Sequence, residues 1–159
     1  MYLGGDDDRC VTATGVAKKL TTVPAEYDRL GKALRTRLPN TSRTFINTYP
    51  ANVFSGGGCG LINVRWVGID PDEGDAIRDW GVKLNTQVKN AAVRNHWSVV
   101  PDLTTAFRGH AYCPRTGSYF QSLEGSWNRQ GNEDGTAHPN YNGHRAYGTA
   151  IRQAVGARP

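Results

Sequence analysis

Long apolar runs are absent from this chain, and their absence excludes whole classes of protein. No stretch approaches the roughly 20 apolar residues that a membrane-spanning helix needs, so we predict no stable membrane insertion. The first eight residues hold no basic region followed by an apolar stretch, and no signal peptide is expected in this chain. A content of 38% hydrophobic and 21% charged residues is typical of a globular protein, and the length predicts a single domain over residues 1–159.

Cysteine is scarce, and its spacing excludes a zinc finger. The three cysteines stand at positions 10, 59 and 113, too far apart to supply the close Cys and His pairs of a zinc site. Their odd number predicts one disulfide bond and one free thiol if the protein is exported. Neither a metal nor an organic cofactor is predicted from the sequence.

Concentrated charge is lacking as well, although 19 basic and 14 acidic residues leave a net charge of +5. The arginines are dispersed from Arg9 to Arg158, and neither a Walker sequence nor an RNA-binding sequence pattern is present. An unrelated basic α/β protein that binds an anionic partner is one alternative for such a chain. We nevertheless predict no nucleic-acid partner.

Helices and strands are predicted to alternate along the chain. Apolar residues at spacings of three and four predict helices over residues 24–38, 70–95 and 143–154. Runs of β-branched and aromatic residues predict strands over residues 43–49 and 97–100, and residues 2–3 are interpreted as the end of another. Residues 55–60 and 107–133 are predicted to be loops. The alternation predicts an α/β fold in which helices cover a parallel sheet. In such a fold we expect the functional site at the carboxyl ends of the strands.

The most informative stretch is residues 134–147, which read Asp-Gly-Thr-Ala-His-Pro-Asn-Tyr-Asn-Gly-His-Arg-Ala-Tyr. Pro139 fixes φ and cannot donate a hydrogen bond, so His138 is predicted to lie in a turn just before the last helix. An imidazole at the mouth of a loop suits a catalytic base. The alternative is a polar turn in which the histidine only forms local hydrogen bonds.

This stretch resembles the last motif block of the SGNH (GDSL) hydrolases, which are serine ester hydrolases. Three further segments resemble the same family, in particular its secreted actinobacterial branch, and they follow in the family's order. They are Leu3-Gly4-Gly5-Asp6-Asp7, Leu84-Asn85 on the second helix, and residues 107–113, which read Phe-Arg-Gly-His-Ala-Tyr-Cys. The resemblance implies a three-layer α/β/α, flavodoxin-like fold that is truncated at its N-terminus, and a parent protein that is secreted.

The family resemblance implies acyl transfer from a carboxylic ester, with His138 as the general base that activates a serine. The family's N-terminal Gly-Asp-Ser block, which carries that serine, has no counterpart in this chain. None of the six serines (42, 55, 98, 118, 122 and 126) matches a reactive position of the family. Ser55 beside the glycine run is the weak remaining alternative.

Two further positions depart from the family's pattern. Gly5 and Asp6 take the place of the oxyanion-binding block, where Asp6 replaces an asparagine whose amide would donate a hydrogen bond to the oxyanion. Asp6 is alternatively a turn acid that caps the next segment, or part of a cation site with Asp7 and Asp8. The family's orienting acid stands three residues before the histidine, where this chain has Gly135. Either the Gly135 carbonyl or the carboxylate of Asp134 is therefore expected to orient His138, unless Asp134 is only a turn residue.

The resemblance also implies a disulfide bond between Cys59 and Cys113. The expected substrate is a small-molecule, lipid or acylated-sugar ester, and a homodimer through an exposed sheet edge is a further expectation. The alternative function is a catalytically inactive, ligand-binding module derived from the same fold, or a gene fragment.

Overall fold

The computed structural model describes residues 13–38, 40, 43–54, 59–60, 68–69, 71–100, 102–113 and 116–156. The positions of Gly5, Asp6 and the strand end predicted at residues 2–3 lie outside these residues, and what was predicted for them stays a prediction. No helix within the described ranges is long and apolar enough to cross a membrane.

Two long helices, α1 (Ala13–Arg37) and α2 (Pro71–Asn95), pack against each other. The helix predicted over residues 70–95 is confirmed, since proline fits the first turn and two acids follow it there. The start predicted for α1 at Pro24 was wrong, because Pro24 lies inside the helix. A half-buried stripe (Val16, Leu20, Val23, Tyr27 and Leu34) runs through the proline on one face, and its packing outweighs a cost of roughly 3 kcal/mol for an internal proline.

A buried asparagine at the end of α2 joins the two helices. The Asn95 side-chain oxygen accepts a hydrogen bond from Arg35 at 2.8 Å, and its amide donates to the Ala91 carbonyl at 3.0 Å. Gly31 of α1 makes room for this side chain, since a methyl group on Gly31 would overlap the Asn95 amide. The contact between α1 and α2 is therefore partly polar and fixed in register.

Four short strands are described, and they form two pairs. Strands β1 (Phe45–Ile46) and β4 (Ser98–Val99) are parallel, in the register Phe45↔Ser98. This pair confirms a parallel sheet, although each strand is shorter than predicted. Strands β2 (Cys59–Gly60) and β3 (Gly68–Ile69) are antiparallel, so the loop predicted over residues 55–60 was wrong at its last two residues. Glycine supplies no side chain to pack, which explains why the sequence pattern does not show β2 and β3 as strands.

Three helices follow in the C-terminal half: α3 (Leu103–Ala106), α4 (Leu123–Gln130) and α5 (Tyr141–Gly156). Helix α4 falls within the predicted loop 107–133, which was wrong there because the helix is short and polar and has no apolar stripe. Its ends are fixed by capping instead, with Ser122 accepting from the Gly125 N–H and Gly131 in the left-handed region at φ 76°. The terminal helix predicted over residues 143–154 is confirmed and is slightly longer at both ends.

The core of the C-terminal half is aromatic. Phe107 is fully buried, and its ring centroid lies 5.2 Å from that of Phe120 and 5.4 Å from those of Tyr119 and Tyr147. Such tilted and edge-to-face pairs contribute to stability beyond the area that they bury. Ala137 packs on this cluster, which therefore supports the segment that carries His138.

Candidate active site

His138 lies in a turn (residues 132–140, the His138 turn) that is held against the segment before α4. The Ala137 N–H donates to the Gln121 carbonyl at 2.9 Å, and the Gln121 N–H donates to the His138 carbonyl at 2.8 Å. One residue further on, Phe120 and Pro139 form an antiparallel bridge. These bonds fix the backbone on both sides of His138. Its side chain can therefore move only by rotation about χ1 and χ2.

Asn140 ends the His138 turn and begins α5. Its side-chain oxygen accepts from the N–H groups of Asn142 and Gly143 at 3.0 and 3.1 Å, which is the bonding of a helix N-cap. Its side-chain amide donates to the carbonyls of Ser118 and Phe120 at 2.8 and 3.2 Å. One side chain thus ties the turn to both α5 and the facing segment, a role that the sequence pattern did not reveal.

A buried serine holds the start of the His138 turn to α4. The Ser126 hydroxyl accepts from the Gly135 N–H at 3.0 Å and donates to the Asn132 carbonyl at 2.8 Å. A methyl group on Gly135 would stand 2.9 Å from this hydroxyl. Position 135 therefore has no room for the acid that the family pattern places there, unless Ser126 moves.

Backbone strain is located directly beside the histidine. Ala137 has a φ of 61°, in the left-handed region that residues other than glycine rarely adopt. Such a conformation costs of order 1–3 kcal/mol and persists only where surrounding bonds determine it. Here the bonds to Gln121 and the aromatic cluster do so, and they turn His138 outward.

The His138 side chain is exposed and lines a cleft of about 350 Å³ between α4 and α5 (the His138 cleft). Arg129 and Gln130 line it from α4, and Tyr141 and His144 from α5. Within the described part of the chain, no side chain or carbonyl forms a hydrogen bond with the His138 ring. Among these described residues, nothing stands between the ring nitrogens and a molecule in the cleft.

The predicted orienting groups lie next to His138 in the turn. The Gly135 carbonyl accepts the backbone N–H of His138 at 3.1 Å. Asp134 is exposed, and its backbone N–H donates to the side-chain oxygen of Asn132 at 3.1 Å. Neither forms a described hydrogen bond with the imidazole ring, so the orienting role of both stays a prediction.

The described serines have other partners. Ser118 exchanges hydrogen bonds with the backbone of Phe120, Ser122 caps α4, and Ser126 holds the His138 turn. The Ser98 hydroxyl is buried in β4 without a hydrogen bond to a described residue. Ser42 and Ser55 lie outside the described residues. No serine in the described ranges donates to His138.

Cys113, the second member of the predicted disulfide pair, is disulfide-bonded. The side chain of Cys59 lies outside the described part of the structure, so the pairing between the two stays a prediction. His110 nearby is held by its own contacts, since its ring stacks on Tyr119 at 3.7 Å and its Nδ1 lies 2.7 Å from the Gly117 carbonyl. His110 thus braces the loop that carries Cys113.

A second loop follows β1 at its carboxyl end (residues 48–52, the Tyr49 loop). Asn85 of α2 accepts from the Tyr49 N–H at 2.7 Å and donates to the Tyr49 carbonyl at 2.8 Å. Thr48 accepts from the Leu103 N–H at 3.2 Å, which joins the loop to the start of α3. Asp102 caps α3 by accepting from the Thr104 N–H at 2.9 Å. The sequence singled out Leu84-Asn85 only as a family resemblance and did not reveal that Asn85 holds the Tyr49 loop.

Tyr147 of α5 lies close to the Tyr49 loop as well as to the aromatic cluster. Burial, with a smaller contribution from the phenol of Tyr49, raises the pKa of Tyr147 to about 12. The pKa of Tyr27 is raised by the same two causes, with burial the larger. Tyr147 is therefore a neutral packing residue at ordinary pH and unsuited to act as a base.

Comparison with solved structures identifies proteins of similar fold. The chain is similar to an extracellular lipase from Streptomyces rimosus (TM-score 0.68) and to phospholipase A1 from Streptomyces albidoflavus NA297 (TM-score 0.66). In both cases the identity is 20%, and the match covers 89% of this chain but 56% of the other. No protein-family model and no curated protein sequence matches the chain. This likeness shows that the chain shares the fold of these two proteins over the matched part, and the His138 turn lies on that fold.

Proposed function

We propose that the His138 cleft is the site of carboxylic-ester hydrolysis, with His138 as the general base of a Ser–His mechanism. The observation that carries the proposal is an exposed imidazole, without a described partner, on a turn whose backbone is bonded on both sides. General bases need this combination, because the ring must reach the substrate while its position stays fixed. The lipase and phospholipase names of the two structural neighbours point to the same reaction class.

In the proposed reaction, a serine oxygen attacks the ester carbonyl while its proton passes to a ring nitrogen of His138. The resulting imidazolium then gives this proton to the alcohol oxygen as the carbon–oxygen bond of the ester breaks. A water molecule attacks the acyl group in the same way and releases the carboxylic acid. The nucleophilic serine is not identified, because none of the described serines donates to His138.

The remaining groups of the site are proposed on the family resemblance. Gly5 and Asp6 would form the oxyanion site, and the Gly135 carbonyl or Asp134 would orient the imidazole. A bond between Cys59 and Cys113 would tie the loop before the His138 turn to the glycine-rich segment. We also propose the three-layer flavodoxin-like arrangement, a single domain, export of the parent protein and substrates of the lipid or acylated-sugar type.

The test is hydrolysis of p-nitrophenyl butyrate by the folded chain. We expect turnover that falls at least about a hundredfold in a His138→Ala variant, since general-base catalysis contributes a factor of that order. His96→Asn is the matched control, because His96 is an exposed histidine at the end of α2 with a φ of 58°, a conformation that asparagine tolerates. Equal turnover by both variants would exclude His138 as the base.

A ligand-binding module without catalysis is the second candidate function. The observation that favours it is that Ser118, Ser122 and Ser126 are each engaged in hydrogen bonds that hold the backbone. A folded sample that binds a short-chain ester in the His138 cleft but neither hydrolyses it nor reacts with a serine-directed phosphonate would establish this function and overturn the first.

A further inference from the structure

One histidine, His110, holds the chain just before the segment that faces the His138 turn. The Tyr119 N–H donates to the His110 carbonyl at 3.0 Å, and the two rings are stacked with their centroids 3.7 Å apart and their planes at 4°. The Nδ1 atom of the same ring lies 2.7 Å from the Gly117 carbonyl oxygen. Three contacts of one residue thus join His110, Gly117 and Tyr119 (the His110 clamp).

The contact with Gly117 determines where the His110 ring carries its proton. A carbonyl oxygen can only accept a hydrogen bond, so Nδ1 must be the donor. In the neutral ring, Nε2 then carries no hydrogen. The clamp therefore needs a donor at the position of Nδ1, and an imidazole in the other tautomer would not form it.

Tyr119 joins the clamp directly to the His138 turn. Its carbonyl accepts from the Asn140 N–H at 2.8 Å, and the Asn140 side-chain amide donates to the neighbouring Ser118 carbonyl at 2.8 Å. The next two residues, 120 and 121, form the bridge and the hydrogen bonds that hold the turn on either side of its histidine. The segment that holds the His138 turn therefore begins at the His110 clamp.

The Tyr119 ring has two described ring neighbours, and His110 is the nearer of them. Phe107 of the aromatic core meets it edge to face, with the centroids 5.4 Å apart. Without His110, the Tyr119 ring keeps only the Phe107 contact, and the bond to the Gly117 carbonyl is lost as well. Phe120 stays buried in the core, so we expect a displacement of Tyr119 and Asn140 and not unfolding.

We propose that His110 is a positioning residue for His138, which it reaches through Tyr119 and Asn140. His110 is not among the described residues that line the His138 cleft, so it acts on the position of the base and does not contact the ester. The proposal rests on the proposed function in so far as it takes His138 as the base. The coupling between the clamp and the turn is a property of the fold and can be measured without turnover.

Two substitutions of His110 separate the Nδ1 donor from the rest of the ring. Asparagine places an amide N–H near the position of Nδ1, whereas glutamine places it near that of Nε2, and both lack the aromatic ring. We expect the His138 ring signals in NMR to stay close to their wild-type positions in His110→Asn and to shift in His110→Gln. His96→Asn is the matched control, and its His138 signals should equal those of wild type.

Hydrolysis of p-nitrophenyl butyrate measures the consequence for the base. A misplacement of about 1 Å costs on the order of a hundredfold in rate, so kcat should fall at least about tenfold in His110→Gln. KM should change less than about twofold, because the ester does not contact His110. The kcat of His110→Asn should be largely restored, since the donor to the Gly117 carbonyl is kept.

Side-chain nitrogen NMR of wild type tests the clamp without any substitution, since the neutral His110 ring should show a protonated Nδ1 and an unprotonated Nε2. A ring protonated at Nε2 would overturn the proposal. So would His138 signals that respond equally, or not at all, to His110→Asn and His110→Gln, or a loss of activity confined to KM. Absence of turnover in wild type, with His138 signals that respond to His110→Gln alone, would refute the proposed function and leave the coupling in place.

Discussion

An asparagine side chain helps to hold both the Tyr49 loop and the His138 turn, but the two segments differ in what they expose. Asn85 reaches the Tyr49 loop from α2, and Thr48, Pro50, Ala51 and Asn52 of that loop are buried. Asn140 belongs to the His138 turn itself, where His138 is exposed and Ala137 is strained. The first loop is buried except at Tyr49, which is 47% exposed, whereas the second presents a histidine to the cleft.

This difference indicates that the hydrogen bonds of the Tyr49 loop mainly stabilise the fold, whereas those of the His138 turn position a functional side chain. Polar groups of a buried loop need partners inside the protein, because unpaired buried groups cost about 1–3 kcal/mol each. In the His138 turn, hydrogen bonds satisfy the backbone while the imidazole has no described partner. A turn with a hydrogen-bonded backbone and an exposed imidazole without a described partner is typical of a functional position.

Removing the Asn85 side chain should have the largest effect on stability. In Asn85→Ala, the half-buried Tyr49 N–H loses its partner and the Tyr49 carbonyl keeps only the hydrogen bond from the Thr104 hydroxyl at 3.4 Å, at an expected total cost of about 2–3 kcal/mol in the free energy of unfolding. Urea denaturation measures this loss. Thr86→Ala, one residue further on the exposed face of α2, should change the free energy by less than about 0.5 kcal/mol. Similar values for both variants would show that the Tyr49 loop is not braced in this way.

The His138 turn should be displaced by a single methyl group on α5. In Gly143→Ala, the new methyl would overlap the Tyr119 carbonyl oxygen and stand 2.9 Å from Pro139 Cβ, so we expect a cost of about 1–3 kcal/mol and a shift of the His138 ring signals. Gly148→Ala is the control on the same helix, where the nearest atom would be Arg152 Nη1 at 3.5 Å. That variant should be stabilised by up to about 1 kcal/mol. If both variants behave alike, α5 does not position the turn.

The smallest effect should come from Tyr147, which lies near both regions. Its folded-state pKa of about 12 exceeds the ordinary value of 10.0, so its contribution to stability is present below pH 10 and is lost as the pH rises towards 12. Between about pH 9 and about pH 11, the free energy of unfolding should therefore fall less in Tyr147→Phe than in wild type, although partial exposure keeps the difference small. The exposed Tyr141→Phe should follow the wild type, and a Tyr147→Phe curve parallel to wild type would contradict the assignment.

Helices α2 and α5 and the His138 turn were predictable from sequence because their signals are local. Proline after His138 and the apolar spacing of α2 depend on neighbouring residues alone. Helix α4 was missed because its local signals are the caps Ser122 and Gly131 and not an apolar stripe. Strands β2 and β3 and the bonds of Asn85 and Asn140 depend on segments distant in the chain, and no local pattern encodes them. The internal Pro24 of α1 shows the same limit, since tertiary packing of the stripe overrides a local helix-breaking signal.

Serine labelling tests the central claim most directly. The folded chain would be treated with a fluorophosphonate ester analogue, and the modified peptide would be identified by mass spectrometry in wild type, His138→Ala and His96→Asn. We predict one labelled serine in wild type and His96→Asn, and no label in His138→Ala, because only an imidazole in reach of the nucleophile activates it. A serine that is labelled equally in all three proteins, or in none of them, would contradict the assignment of His138 as the base of an ester hydrolase.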